Sequence, residues 1–386
     1  MDFNSWEIDP TALEAVTDSR RTDKGNIKYL LSEVLLLCIV AILSNCREYD
    51  QIEEFGKNEL AWLRRYYPYK NGIPPAITIA RIISLVNPKE LNNAYSILIS
   101  ALVKNNSNKH IAIDGKVISG YSKHHPNNDT FVNVSAYITD DGITLAQVSG
   151  GNNKGEIRCL EEILDFIDID GALITLDAGL SFQSIARKIT NKGGNYVLSV
   201  KKNNPKLFDD IEKVFEKENY HTTDITHNQD HGRVETRSCL VINDLSEIST
   251  ASDWKGIKSV MCVVRTRRKK GDKSTSTTKQ YYISNLASHA IDFNRLIRNH
   301  WQIENCLHWS LDVVFDEDNS KKRNFNAVAN LSLLTKLTDS LLNHVKKEYN
   351  IKGSKKIVCQ RVLMNPEFRS FLMNIILGCS VTTKPK

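Results

Sequence analysis

What most constrains this 386-residue chain is a change of texture at residue 110, where helical periodicity gives way to short apolar strands, two of them ending in aspartate. Ile111-Ala112-Ile113-Asp114 reads as a buried strand running into Asp-Gly. Phe131 to Thr139 alternates, with Val132, Val134, Ala136 and Ile138 on one face. Asp140-Asp141-Gly142 supplies a turn, and Ile143 to Ser149 is the returning strand. Gly155 to Phe166 keeps helical spacing through Ile157, Leu160, Ile163 and Leu164. The apolar strand Leu173-Ile174-Thr175-Leu176 ends at Asp177. Ser181 is then expected to cap a helix from Phe182 to Thr190, with a further strand at Asn195 to Val200.

Three hairpin-linked strands followed by alternating helices and strands imply an α/β protein, a mixed sheet with helices on its faces. That order matches a ribonuclease-H-like fold. Residues 1–107 read as an all-helical N-terminal domain. Leu30, Leu31, Val34, Leu35, Cys38 and Ile42 recur at helical spacing, a second helix runs through Ile52, Phe55, Leu60 and Leu63, and Thr78 is the expected cap of a third. A DNA-reading helix-turn-helix and plain helical packing both fit this leader. Residues 108–204 are expected to hold the first part of the mixed-sheet core, 205–292 a strand-rich insertion, 293–347 the rest of the core, and 348–386 a helical tail. Within the insertion, a helix near Leu207 to Phe215 precedes strands near Val234 to Ile242, Ser259 to Thr266 and Lys279 to Ser284.

Asp114 and Asp177 are both expected at the C-terminal ends of buried strands, the edge at which open α/β sheets bind ligands. Two acids held close repel unless a cation lies between them, and hard cations such as Mg²⁺ take carboxylate and phosphate oxygens. Each aspartate also has a plainer reading: Asp-Gly is a common turn signal, and Asp177 suits a helix start. A third acid lies in His300-Trp301-Gln302-Ile303-Glu304, followed by His308. His300, Glu304 and His308 are spaced four apart, hence on one helix face, beside Ile303, Leu307 and Leu311. An acid on a sheet-facing stripe needs a partner. The stripe lacks the His-Glu-x-x-His order of zinc peptidases.

Composition narrows the setting. The net charge of +6 permits a polyanionic partner without demanding one. None of the eight cysteines lies two to four residues from another, so no zinc knuckle is signalled. The longest apolar run, Val34 to Leu43, is half of the roughly 20 residues a membrane span needs and reads as a buried helix. The N-terminus shows no basic segment followed by an apolar core, so reduced thiols in a cytoplasmic setting are expected.

Four blocks carry a resemblance: IAIDGKVISG (111–120), ITLDAGLSFQ (174–183), HGRVETR (231–237) and HWQIENCLHWSLDVVFDED (300–318). Together with the stretch around LLSEVLLLCIVAIL, they are similar to the H-repeat-associated family of bacterial insertion-sequence transposases, over roughly residues 10 to 345. The resemblance implies a ribonuclease-H-like core, a strand-rich insertion before the last catalytic helix, and a DDE triad on Asp114, Asp177 and Glu304. It further implies two Mg²⁺ (or Mn²⁺) ions, DNA strand cleavage and strand transfer, double-stranded DNA (element ends and target) as partner, and a homodimer in the DNA complex. Related transposases often carry a Tyr, Arg, Glu, Lys signature around the last acid. Here those positions are Ile297, His300, Glu304 and Leu311.

Candidate DNA contacts are Arg265, Arg267, Arg268, Lys269 and Lys270, in a basic run that extends to Lys273 and looks like a flexible hairpin tip. A solvated turn explains such a run equally well. Lys201, Lys202 and Asn204 follow a strand and are expected near the cleft, with Arg233 and His300 as further contacts. Arg233, Glu235 and Arg237 alternate on one strand face, which an exposed salt-bridged surface also explains. Trp301 and Trp309 are expected in the core. Two rivals stand beside the transposase: a nuclease that cuts without joining, and a non-catalytic remnant that only binds DNA.

Overall fold

The computed structural model describes residues 10–20, 27–100, 102–103, 108–125, 129–151, 153–217, 220–230, 233–269 and 274–376. Five helices lead: α1 (Leu31–Leu43), α2 (Tyr49–Asn58), α3 (Leu60–Leu63), α4 (Ala76–Leu85) and α5 (Pro88–Ser100). From Val34 on, helix α1 is apolar all round and buried, as a helix must be when it has no polar face to offer water. The expected second helix is two, α2 and α3, broken at Glu59. Helix α4 starts behind Pro75, so Thr78 lies within its first turn and is not its cap.

Next come β1 (His110–Val117), α6 (Ser119–His124), β2 (Phe131–Ile138), β3 (Ile143–Gly151), α7 (Asn153–Phe166), β4 (Leu173–Leu176), α8 (Gln183–Asn191) and β5 (Asn195–Val200). Strands β1, β2 and β3 form an antiparallel meander, and β4 and β5 run parallel to β1. Two details differ from expectation. β1 does not stop at Asp114-Gly115 but continues to Val117, because β2 offers pairing partners along that length, with Asp114 opposite Ser135. The Asp-Gly turn reading is thereby overturned. Ser181 does not cap α8, which begins behind Phe182; its hydroxyl instead donates to the Asp177 carbonyl at 2.9 Å.

Helix α9 (Pro205–Glu216) leads into β6 (Thr222–Asp230), β7 (Arg233–Ile242), β8 (Ser259–Lys269) and β9 (Thr275–Ser284). These strands do not make a separate sheet. β9 pairs antiparallel with β5, giving one nine-stranded sheet in the order β3-β2-β1-β4-β5-β9-β8-β7-β6. Strand β6 was not foreseen: its residues Thr222 to Asp230 are nearly all polar and hide the usual apolar alternation.

The chain closes with α10 (Ala290–His300), a π-helical segment (Ile303–His308), α11 (Trp309–Val313), α12 (Phe325–Glu348), α13 (Lys355–Met364) and α14 (Pro366–Ile376). Helix α12 packs on α1, α4, α5 and β3, so the leading helices and the sheet share one apolar core. Several of its buried polar groups are matched across elements. Asn330 donates to the carbonyls of Ile83 and Val86 at 2.9 Å each, and the Lys336 ammonium donates to Gln147 Oε1 at 2.6 Å. Among the described residues no helix is long and apolar enough to cross a membrane, and α1 is a core helix as expected.

Candidate active site

Strand pairing positions the first two acids. The parallel ladder between β1 and β4 ends at Ile113 opposite Leu176, so Asp114 and Asp177 are the next residues on neighbouring strands, about 4.8 Å apart at the backbone. Asp114 is largely buried, whereas Asp177 stands half-exposed at the mouth. The Lys201 ammonium, just past β5, lies 3.3 Å from the Asp177 carboxylate.

A further acid that the sequence reading passed over lies at the same place. A Cβ built on Gly115 would sit 1.9 Å from Glu156 Oε1, so the carboxylate of Glu156, in the first turn of α7, rests against the β1 backbone beside Asp114. Gly115 is required there for close approach, not for a turn. The available signal was an acid at a helix start directly after the glycine-rich end of β3.

The crowding shows in the proton affinities. Burial pushes the Asp114 carboxyl up to about 7; the Gly115 N–H opposes this, and Glu304, Asp177 and Glu156 add to it. Glu304 is raised by burial and by Asp177, against the pull of Lys201, and Glu156 by burial and by Asp177. Four carboxylates thus sense one another with one lysine among them. An all-oxygen donor set of this kind suits a hard divalent cation. Among the described residues, however, no group of three or more His, Cys, Asp or Glu side chains is already closed around a metal-sized site. The donor chemistry fits such an ion; the shell is open.

Glu304 reaches the cleft by an unexpected route. Residues Ile303–His308 form a π-helical segment between α10 and α11, so the four-residue stripe inferred from the sequence is not a regular α-helical face. Ile303 and Leu307 are buried on the sheet, but Glu304 is exposed. The expectation of an acid on a sheet-facing stripe is therefore corrected: the wider π turn lets apolar neighbours pack while Glu304 faces outward. His300 and His308 go inward instead. His300 Nδ1 lies 2.9 Å from Thr175 Oγ1, which in turn contacts His110 Nε2 at 2.9 Å. Burial lowers His300 to about 4 despite Asp177, and His308 to about 3, so both rings are neutral near pH 7. His308 Nδ1 lies 3.9 Å from Asp114.

The basic candidates divide. Arg265, Arg267 and Arg268 lie within β8, paired with Arg237, Glu235 and Val234 of β7 and with Thr278, Ser276 and Thr275 of β9. They belong to a paired strand, not to a flexible tip. Lys269 ends β8 opposite Arg233, while Lys270 and Lys273 lie outside the described residues. Since β9 runs antiparallel to β5, with Tyr281 opposite Val200, this arm overshoots the end of β5 on the edge that carries Asp114 and Asp177. Lys202 is exposed. Asn204 donates to the Ser181 carbonyl at 3.1 Å and precedes α9, which ties it to the local backbone. Trp301 lies 5.9 Å from the Arg265 guanidinium, and Trp309 is 55% exposed, so Trp309 is not the core residue expected.

Residues 105–338 match the family described as Transposase DDE domain, and residues 11–98 match the one described as DDE_Tnp_1-associated. "Putative transposase YncI" of Escherichia coli O157:H7 is 33% identical over 378 residues, covering 95% of this chain and 94% of that protein. "H repeat-associated putative transposase YhhI" of Escherichia coli (strain K12) is 31% identical over 378 residues, covering 96% and 98%. The solved structure titled "Cryo-EM structure of piggyBac transposase synaptic complex with hairpin DNA (SNHP)" covers 100% of this chain and 85% of that chain at 11% identity and a TM-score of 0.45, too distant to carry an argument. The chain belongs to the H repeat-associated family of DDE transposases.

Proposed function

We propose that this chain is an active DNA transposase whose reacting centre is formed by Asp114, Asp177 and Glu304. The observation that carries the reading is the ladder end at Ile113–Leu176, which sets Asp114 and Asp177 side by side while Glu304 arrives from a different element to share their field. The strand order β3-β2-β1-β4-β5, with β1 parallel to β4 and β4 to β5, supports a ribonuclease-H-like core across residues 108–204 and 293–347. In the same reading, 1–107 is the helical leader, 205–292 an insertion that widens the sheet, and 348–386 a helical tail.

Two Mg²⁺ or Mn²⁺ ions, when bound, would activate an attacking oxygen and stabilise the leaving oxygen of a phosphodiester. Asp114, Asp177 and Glu304 would hold them. Every other contribution comes from the chain. Burial of Asp114 and Ile303 fixes the inner wall, while the exposure of Asp177 and Glu304 leaves the mouth open to a bulky polymer. Lys201 offsets the carboxylate charge that would repel a phosphate. His300, neutral and tied to Thr175, would offer a hydrogen bond and no charge.

The reaction proposed is hydrolytic cutting of one strand at an element end, followed by attack of the freed 3′-hydroxyl on target DNA. Neither step requires a covalent protein–DNA bond. Double-stranded DNA is the partner, a homodimer would bring two ends together, and the cell cytoplasm is the expected setting. The test is a Glu304→Gln variant: cleavage of labelled duplex carrying the flanking sequences should drop by at least about 100-fold. Binding should stay within about threefold, measured by fluorescence polarisation. Equal cleavage by both proteins would remove Glu304 from the centre. Cutting without strand-transfer products would leave a nuclease, not a transposase.

A further inference from the structure

Arg237 on β7 and Arg265 on β8 are directly paired across the strands. They share a face with Cys239 and Val263, the next pair toward the core, which pack against Phe293 and Ile297 of α10. Like charges directly opposite one another destabilise a sheet, and burial makes that worse. Yet Arg237 is only 3% exposed, and its Nε and Nη2 have no hydrogen-bond partner; Arg265 Nε has none either. The nearest acid, Glu235, is 3.8 Å from Arg265 but engages Arg267 at 2.6 Å. Three arginines therefore face one glutamate. Unmade hydrogen bonds from a buried guanidinium are costly, so an anion that completed them would be bound favourably.

The position says what that anion is. Val200 of β5 is level with Cys262 of β8, so Arg265 lies three residues, about 10 Å, beyond the end of β5. This is the edge on which Asp177 stands, about three strand spacings (~14 Å) to the side and four residues (~13 Å) further back along the strands, or roughly 19 Å away at the backbone. The Arg265 guanidinium also lies over the Trp301 ring, three residues before Glu304. We propose that Arg237 and Arg265 form a built phosphate site that grips the DNA backbone several nucleotides from the scissile bond. This inference rests on the DNA-processing reading above and adds a residue, Arg237, whose burial removes it from any exposed salt-bridged face. The planar guanidinium pair suits the tetrahedral oxygens of a phosphodiester. The ligand chemistry, a phosphate oxyanion, has two sources: the DNA backbone and a free anion.

Two arms on the full-length chain distinguish them, with Arg237→Gln and, should that variant fail to fold by circular dichroism, Arg265→Gln. First, inorganic phosphate should raise the melting temperature of the wild type and leave the variant unmoved relative to chloride of equal ionic strength. Second, a 30-base-pair duplex should bind the variant about tenfold more weakly, with a plot of log affinity against log salt about one unit shallower. Cleavage is read in neither arm, so a failure of the catalytic reading leaves this test intact. Loss of the phosphate response with unchanged duplex affinity and salt slope would assign the pair to a free anion and overturn the DNA assignment. No difference in either arm would overturn the site.

Discussion

Asp114 carries a cost in the metal-free fold. Its carboxyl is pushed to about 7 mainly by burial, so the folded, metal-free protein holds a proton there that the unfolded chain, with an ordinary value near 3.8, has already lost. The sign follows: its contribution to stability is fully present below pH ~4 and is lost as pH rises toward 7. In chelator at pH 8, Asp114→Asn should therefore be more stable than wild type, by on the order of 2 kcal/mol, with the gap closing by pH 4. Urea unfolding at the two pH values measures this, and a variant less stable at pH 8 would contradict it. Asp114 and Asp177 were legible as candidates because each directly follows a run of apolar strand residues. The nearness of Glu156 was not, because nothing local distinguishes an acid in a first helical turn from an ordinary dipole partner. The burial of Arg237 was equally hidden: alternation fixes a face, and only packing says which face is covered.

Elements matter most around the π segment. Ile303–His308 was read from sequence as regular helix, since a π bulge has no composition signature; only the packing of Ile303 and Leu307 against an outward Glu304 reveals it. Deleting the exposed Asn305 should let the segment relax to α-helix and turn Glu304 away from its present direction, while the flanking helices stay nearly in register. The expected result is a folded protein whose DNA cleavage is reduced by at least about 100-fold; retained cleavage would mean the bulge does not position Glu304. A second device braces the same element. Lys116, two residues beyond Asp114, contacts Asp312 and Asp318 at 2.8 Å each and Glu317 at 3.5 Å, fastening β1 to α11 and to the segment after it. Lys116 and Glu317 are both buried. Lys116→Met should cost about 3 kcal/mol, because it strands carboxylates. Chemical denaturation would show this, and a loss under about 1 kcal/mol would mean the clamp is dispensable.

At the scale of the whole molecule, the succession of elements from β1 to β5 was legible from hydrophobic period and turn residues. How the insertion and the leader join them was not. Strands of the insertion align with β5 through long-range pairing of Val197–Val200 with Tyr281–Ser284, and sequence spacing carries no record of a partner. The leading helices looked separable, yet α1, α4 and α5 cover α12. Removing residues 1–107 should therefore yield an insoluble or non-cooperative protein; a fragment 108–386 with a sharp unfolding transition would contradict the shared core. The central claim, that Asp114, Asp177 and Glu304 make this a DNA-cutting and DNA-joining centre, is tested most directly by one assay. Labelled DNA bearing the sequences that flank the gene is incubated with Mg²⁺ and either wild type or Asp114→Asn. Cleaved and joined products from the wild type, absent with the variant, are predicted. Products of equal yield from both proteins would contradict the account.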